Sequence, residues 1–122
     1  MISILISIVD DDPVVRDATA DLLNSLGYTA LSFESAEEFL DSGHIKGTGC
    51  LITDQQLPGL SGTELQAQLQ AEGYRTPIIF ITAFPEPRIR QQALDAGAVA
   101  FLTKPFEQSD LLRSLESAFN IH

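Results

Sequence analysis

Short apolar segments alternate along the chain with longer segments whose apolar residues recur at helical spacing. Residues 2–9 alternate Ile, Leu or Val with Ser, which predicts a strand that stops at Asp10. Pro13 suits the first position of the next helix, and Gly27 suits the residue after its end. Strands are predicted over residues 2–9, 29–33, 50–53, 78–81 and 99–102. Helices are predicted over about residues 13–26, 35–43, 61–73, 87–96 and 109–119.

Five consecutive strand–helix pairs predict a parallel sheet with helices on both faces. The third and fourth strands are apolar on both faces, which is typical of strands buried between two helix layers. Two helices open with a capping box, Ser35 with Glu38 and Ser61 with Glu64. We expect one doubly wound α/β domain over residues 1–122, with the flavodoxin-like strand order 2-1-3-4-5 and no output domain.

Polar side chains follow the predicted strand ends. Asp10 and Asp11 come after the first strand, and Asp54 comes after the third. Thr82 and Lys104 end the fourth and fifth strands. Ligands bind outside the carboxyl ends of parallel strands, near the point where the strand order reverses. Because the first and third strands flank that point, the topology predicts that the acids converge in one crevice.

Such a crevice suits phosphate chemistry. Carboxylates that lie close together repel one another and attract a cation, and oxygen ligands without His or Cys favour Mg²⁺. A carboxylate held beside Mg²⁺ can attack a phosphoryl group. The negative charge on that group needs positive charge and hydroxyl donors already in place. Lys104, one of only two lysines, and Thr82 are the candidates for these two tasks.

Composition narrows the function further. The 122 residues are 44% apolar and 20% charged, which is enough for one sizeable core. A net charge of −10 would repel a phosphate backbone, so we expect no nucleic acid binding by this domain. Residues 1–9 are too short to span a membrane and lack a basic start. We therefore expect this segment to be neither a membrane anchor nor a signal peptide. Cys50 has no disulfide partner in the chain, so the predicted location is cytoplasmic.

Four separated runs together carry a family resemblance. The segments IVDDDP, LITDQQLPGLSG, IIFITA and DAGAVAFLTKPF resemble the receiver (CheY-like) domain of two-component response regulators, over essentially the whole chain. SAEEFL and GAVAFLTKPF are most similar to receivers of nitrogen-fixation-type helix-turn-helix regulators. The resemblance implies a phosphoacceptor switch and not an enzyme. Its output would be transcription, through an attached or partner domain.

The resemblance also implies residue roles. Asp54 would take a phosphoryl group from a histidine of a sensor kinase, with phosphodonors as the only small-molecule substrates. Asp11 would bind Mg²⁺ directly and Asp10 largely through water, with Asp54 and the main-chain carbonyl of Gln56 as further ligands. Lys104 would pair with the phosphoryl oxygens.

The same resemblance implies how the switch works. The Lys104–Pro105 bond would be cis. On phosphorylation Thr82 would turn toward the phosphoryl oxygens, and Phe101 would move inward. The surface of the fourth helix, fifth strand and fifth helix would change and could form a homodimer.

Several positions depart from the family pattern. Pro85 and Pro87 could stiffen or shorten the start of the fourth helix. Gln56 and Phe84 occupy positions that in the family influence how fast water reaches the aspartyl phosphate. Phe101 has no hydroxyl, so its signal would come from ring packing.

Simpler structural roles fit other residues. Asp12 is better explained as a cap of the first helix than as a site residue. Thr82, taken alone, would be an ordinary strand-end hydroxyl. His44 and His122 are assigned neither phosphotransfer nor metal binding, and Cys50 is a small buried residue at a strand start.

The sequence argues against three other functions. A Mg²⁺-dependent phosphatase with an aspartyl-phosphate intermediate needs a general acid two residues after the nucleophile, where this chain has Gln56. A flavin or nucleotide module needs a Gly-rich loop after the first strand, where this chain has three aspartates. A phosphorylation-independent interaction module predicts the loss of site residues, and none is lost.

Overall fold

The computed structural model describes residues 4–119. The five strands are β1 (Leu5–Val9), β2 (Thr29–Phe33), β3 (Thr48–Asp54), β4 (Ile78–Thr82) and β5 (Ala100–Thr103). They form one parallel sheet in the order β2-β1-β3-β4-β5, which confirms the predicted order. The helices between and after them are α1 (Pro13–Ser25), α2 (Ala36–Leu40), α3 (Gly62–Ala71), α4 (Pro87–Asp95) and α5 (Gln108–Phe119). Among residues 4–119, no helix is long and apolar enough to cross a membrane.

The core lies on both faces of the sheet, as expected for a doubly wound fold. Successive strand residues point to opposite faces, so each central strand contributes side chains to two apolar clusters. Leu51 of β3 and Phe80 of β4 pack with residues of α2, α3 and α4. Ile52 and Ile79 of the same strands pack with residues of α1 and α5 on the other face. All five residues of β4 are buried, which confirms that a helix layer covers each side.

The start of β3 differs from the prediction. The strand begins at Thr48, so Cys50 lies inside it and not at its start. Thr48 is buried, and its hydroxyl lies 2.7 Å from the hydroxyl of Ser7 in β1. The register shifts between Leu5 and Ile6, whose partners are Thr48 and Cys50. Gly49 is therefore skipped in the pairing, which explains how a glycine can lie within this strand.

Burial determines the chemistry of Cys50, as predicted for a small buried residue. Its side chain is fully buried, and this burial raises the pKa of the thiol to about 12. The neutral thiol therefore packs as an apolar group in the core.

Other boundaries differ by smaller amounts. The first strand was predicted from residue 2, but Ile4 lies before β1, which begins at Leu5; residues 2 and 3 lie outside the described residues. The helix predicted to reach residue 43 ends at Leu40. β5 and α5 are displaced by one residue at their starts, to Ala100 and Gln108. Helix and strand ends are the least specified part of a sequence pattern.

The two predicted capping boxes are not equal. The Ser61 side chain accepts from the main-chain N–H of Glu64, and the Glu64 carboxylate accepts from the N–H of Ser61, so this box is complete. Ser35 accepts from the N–H of Glu38 in the same way. The Glu38 carboxylate, however, accepts from Glu34, so the prediction of a reciprocal box at α2 was wrong.

We expect Ser61→Ala to lower the free energy of unfolding by about 1 kcal/mol, because it removes the cap of a ten-residue helix. Ser35→Ala, at a five-residue helix with half of the box, should cost less. Urea unfolding followed by circular dichroism measures both. The main-chain N–H of Ser61 is the largest cause of a lowered pKa at Glu64, so the carboxylate half of the box is present at neutral pH and is lost as the pH falls and the carboxylate is protonated. Equal losses in the two variants would contradict the difference between the boxes.

Candidate functional site

Three carboxylates meet at the carboxyl edge of the sheet, as the topology predicted. One oxygen from each of Asp10, Asp11 and Asp54 lies within 4.8 Å of the others. Asp10 directly follows β1 and is fully buried, while Asp54 ends β3 and is 6% exposed. Asp11 is exposed and opens the group to solvent. The adjacency of β1 and β3 therefore brings together residues that are far apart in the sequence.

Lys104 links two of these acids. Its Nζ donates to Asp10 Oδ2 at 2.9 Å and to Asp54 Oδ2 at 2.9 Å. The lysine follows β5, and its main-chain N–H donates to the carbonyl of Thr82 at 2.8 Å. Only 17% of the side chain is exposed. An ammonium group is thus held between two largely buried carboxylates, where its charge is weakly screened.

These contacts shift the pKa values of Asp54 and Lys104. Burial raises the pKa of Asp54, although the hydrogen bonds from Lys104 and from the N–H of Gln56 act in the opposite direction. Burial would lower the pKa of Lys104, but the hydrogen bonds to Asp10 and Asp54 outweigh it and raise that pKa above its usual value. The lysine is therefore a permanent positive charge at neutral pH.

Gln56 and Thr82 lie at the same edge. The main-chain N–H of Gln56 donates to Asp54 Oδ1 at 3.1 Å, so both carboxylate oxygens of Asp54 accept hydrogen bonds. The predicted role of the Gln56 carbonyl as a metal ligand stays a prediction. Thr82 is fully buried at the end of β4, and its hydroxyl accepts from the N–H of Phe84 at 3.2 Å.

The neighbouring loop has an open edge. Gln56 and Phe84 both line a small cavity of about 110 Å³, and Phe84 is 68% exposed. Helix α4 starts at Pro87, and its N-cap residue Glu86 makes no side-chain capping bond. The predicted influence of these residues on water access and on switching stays a prediction.

Three further expectations have a structural counterpart. The bond between Lys104 and Pro105 is cis. Phe101 is partly buried and stacks on Phe80 with ring centroids 5.5 Å apart. Asp12 accepts from the N–H of Val14, which confirms its role as the cap of α1. His44 lies in an exposed loop, and His122 lies outside the described residues.

Sequence reasoning missed Arg16 and Gln55. Arg16 Nη1 donates to the main-chain carbonyl of Asp10 at 2.8 Å, and only 13% of its side chain is exposed. It is the one basic residue of α1, and it lies one turn beyond Asp12. This single basic residue close to the acids was a signal in the sequence that could have identified Arg16. Gln55 directly follows Asp54 and binds the start of α3, for which the pattern of apolar residues carries no signal.

The donor set fits a hard divalent cation. It consists of carboxylate oxygens that lie close enough to share one ion, and its exposed member leaves a route from solvent. The fully buried Asp10 and the nearby Lys104 show that the site already balances opposite charges.

The fold and the site together define a receiver-type α/β domain, with acids and a lysine at the carboxyl edge of a doubly wound sheet. The chain belongs to the response regulator receiver domain family, which it matches over residues 6–116. This membership confirms the family resemblance on which the site assignments rest.

Known relatives agree with this membership. The transcriptional regulatory protein TdiR of Thauera aromatica is 37% identical over 115 residues, which cover 94% of this chain and 51% of that protein. The response regulator protein TodT of Pseudomonas putida is 38% identical over 117 residues, covering 96% and 52%. The crystal structure of FixJ-N has a TM-score of 0.85 at 34% identity and covers 97% of this chain and 94% of that one. The chain spans about half the length of these two curated relatives.

Proposed function

We propose that this domain is a switch that accepts a phosphoryl group on Asp54. The observation that carries the proposal is the position of Lys104 Nζ, 2.9 Å from both Asp10 and Asp54 at the carboxyl edge of the sheet. A carboxylate that will bear a phosphoryl group needs a cation already in place, because the transferred oxygens carry negative charge. In this proposal Lys104 is that cation.

The reaction is a displacement at phosphorus. An oxygen of the Asp54 carboxylate forms a bond to phosphorus, and the bond from phosphorus to the donor breaks. With a phosphohistidine donor, the phosphorus–nitrogen bond breaks and the imidazole leaves with a proton from solvent. We infer that a sensor histidine kinase supplies this donor and that a small phosphodonor can replace it. A phosphatase that uses an aspartyl-phosphate intermediate would need a general acid two residues after Asp54, where this chain has Gln56.

Asp10, Asp11 and Asp54, with the main-chain carbonyl of Gln56, would hold a Mg²⁺ ion. When bound, such an ion would supply positive charge to the phosphoryl oxygens. Thr82 would donate its hydroxyl to the phosphoryl group, in exchange for its contact with the N–H of Phe84.

The output is proposed from the relatives. TdiR is a transcriptional regulatory protein and TodT a response regulator protein, and each is about twice as long as this chain. We infer that phosphorylation changes the surface formed by α4, β5 and α5 and so controls transcription through an attached or partner domain. A homodimer on that surface is part of the proposal. That the 122 residues form one receiver domain without an output domain stays a prediction.

Intact mass spectrometry tests the central claim. We expect the protein, incubated with Mg²⁺ and acetyl phosphate, to gain a single phosphoryl adduct that is labile to base. The same incubation with EDTA should give no adduct, because the carboxylates and the incoming phosphoryl group then repel one another. A folded protein that gains no adduct with Mg²⁺ would overturn the proposed function.

A further inference from the structure

Gln55, the residue after the proposed acceptor, is hydrogen-bonded to the start of α3. The carbonyl of Gln55 accepts from the main-chain N–H of Gly62 at 3.0 Å. Its side-chain Oε1 accepts from the N–H of Thr63 at 2.9 Å, and its Nε2 donates to Thr63 Oγ1 at 3.1 Å. We call the two side-chain hydrogen bonds the Gln55–Thr63 pair. One glutamine thus satisfies two N–H groups of the first turn, which have no partner inside the helix.

The start of α3 lies close to the end of β3. A methyl group on Gly62 would lie 2.6 Å from the carbonyl oxygen of Asp54 and 3.0 Å from Gln55 Oε1. Only a glycine permits this approach, because a Cβ atom would displace the main chain of the acceptor. Thr63 is buried, so water competes little for the Gln55–Thr63 pair.

The pair acts on the segment that orients the acceptor. Gln55 lies between Asp54 and Gln56, and the N–H of Gln56 donates to Asp54 Oδ1. The other oxygen, Oδ2, accepts from Lys104. The plane of the carboxylate is therefore set by one bond from a side chain and one from the main chain. The hydrogen bond from the main chain depends on the orientation of Gln56, whose side chain is exposed.

We propose that Gln55 is a positioning residue for phosphoryl acceptance: the Gln55–Thr63 pair keeps the Gln56 N–H on Asp54 Oδ1 and so fixes the attacking carboxylate. This inference rests on the proposed function of Asp54. A displacement of about 1 Å can cost a factor of about 100 in rate. Because Lys104 still holds the other oxygen, the expected loss is smaller, about tenfold.

One substitution removes both bonds of the pair, one removes a single bond, and two serve as controls. Gln55→Met keeps the length of the side chain and removes both bonds. Thr63→Val removes only the hydroxyl and is the milder change. Gln55→Glu keeps an acceptor for both the N–H and the hydroxyl of Thr63, so it should restore the pair. Gln91→Met is the matched control, because this glutamine is exposed on α4 and far along the chain from the site.

Two readouts decide the matter. In protein without Mg²⁺, NMR hydrogen exchange at the Gln56 N–H should be about tenfold faster in Gln55→Met and close to wild type in Gln55→Glu and Gln91→Met. With saturating Mg²⁺ and acetyl phosphate, the rate constant for adduct formation should fall about tenfold in Gln55→Met. Gln55→Met/Thr63→Val should be no slower than Gln55→Met, since both changes break the same pair.

The outcomes separate this inference from the function on which it rests. A phosphorylated wild type with an unchanged rate in Gln55→Met would overturn the positioning role and leave the pair as a stabilising contact only. If Gln55→Met does not fold, the same comparison is made with Thr63→Val. A wild type that forms no adduct overturns the proposed function, whatever the exchange at Gln56 shows.

Discussion

Asp54→Asn is expected to form no phosphoryl adduct under conditions that phosphorylate the wild type completely. Asn keeps the size of the side chain and an oxygen that can accept from the N–H of Gln56. Its amide, however, is not a nucleophile, so the displacement at phosphorus has no attacking oxygen. The measurement is intact mass after incubation with Mg²⁺ and acetyl phosphate.

Loss of the adduct in this variant should not reflect unfolding. Burial raises the pKa of Asp54, which means that the folded protein disfavours the charged form. The stability linked to this group is full at pH values below its unfolded pKa and decreases as the pH rises through the folded pKa. A neutral isostere should therefore be at least as stable as the wild type at neutral pH.

Asp12→Asn is the matched control for this experiment. It makes the same chemical change at an exposed acid that caps α1, and Asn caps helices about as well as Asp. We expect it to keep the adduct. An adduct on Asp54→Asn that maps to Asp10 or Asp11 would show that the acidic group reacts but that the acceptor was misassigned.

The predicted residues lie together where the strand order alone determines their position. Asp10 and Asp54 follow neighbouring parallel strands, and Lys104 follows β5 at the same edge, so their meeting required only the strand order. Thr48 shows the limit of the same reasoning. The sequence predicts a strand only from Cys50, but the hydroxyl pair with Ser7 and the shifted register extend the strand back to Thr48. Such tertiary contacts override local propensity.

Side chains that bind the main chain were the other source of error. The Arg16 guanidinium donates to the main-chain carbonyl of Asp10, and the Glu38 carboxylate accepts from the N–H of Glu34 and not from that of Ser35. Both contacts depend on how the chain enters a helix, which the spacing of apolar residues does not determine. The residues at the strand ends can therefore be predicted from the sequence. The hydrogen bonds that orient those ends are seen only in the structure.

The second large effect is expected at Lys104. We expect Lys104→Met to lower the free energy of unfolding by about 3 kcal/mol at neutral pH without Mg²⁺, because removal of one partner leaves buried charge uncompensated. Methionine replaces the apolar stem, so the loss reports mainly the ammonium group. Asp10 is fully buried and Asp54 nearly so, and both lose their hydrogen bond to Nζ. Urea unfolding measures the difference.

Lys46→Met is the matched control, since this lysine is exposed and its replacement should change stability by no more than about 0.5 kcal/mol. Lys104→Met/Asp54→Asn should recover part of the loss, because only Asp10 then remains as a buried charge without its cation. Additive losses in the double variant, or a Lys104→Met protein as stable as Lys46→Met, would show that the ammonium group does not balance these carboxylates. A bound cation alone would then balance the charge of these carboxylates. That result would contradict the proposed role of Lys104 in phosphoryl acceptance.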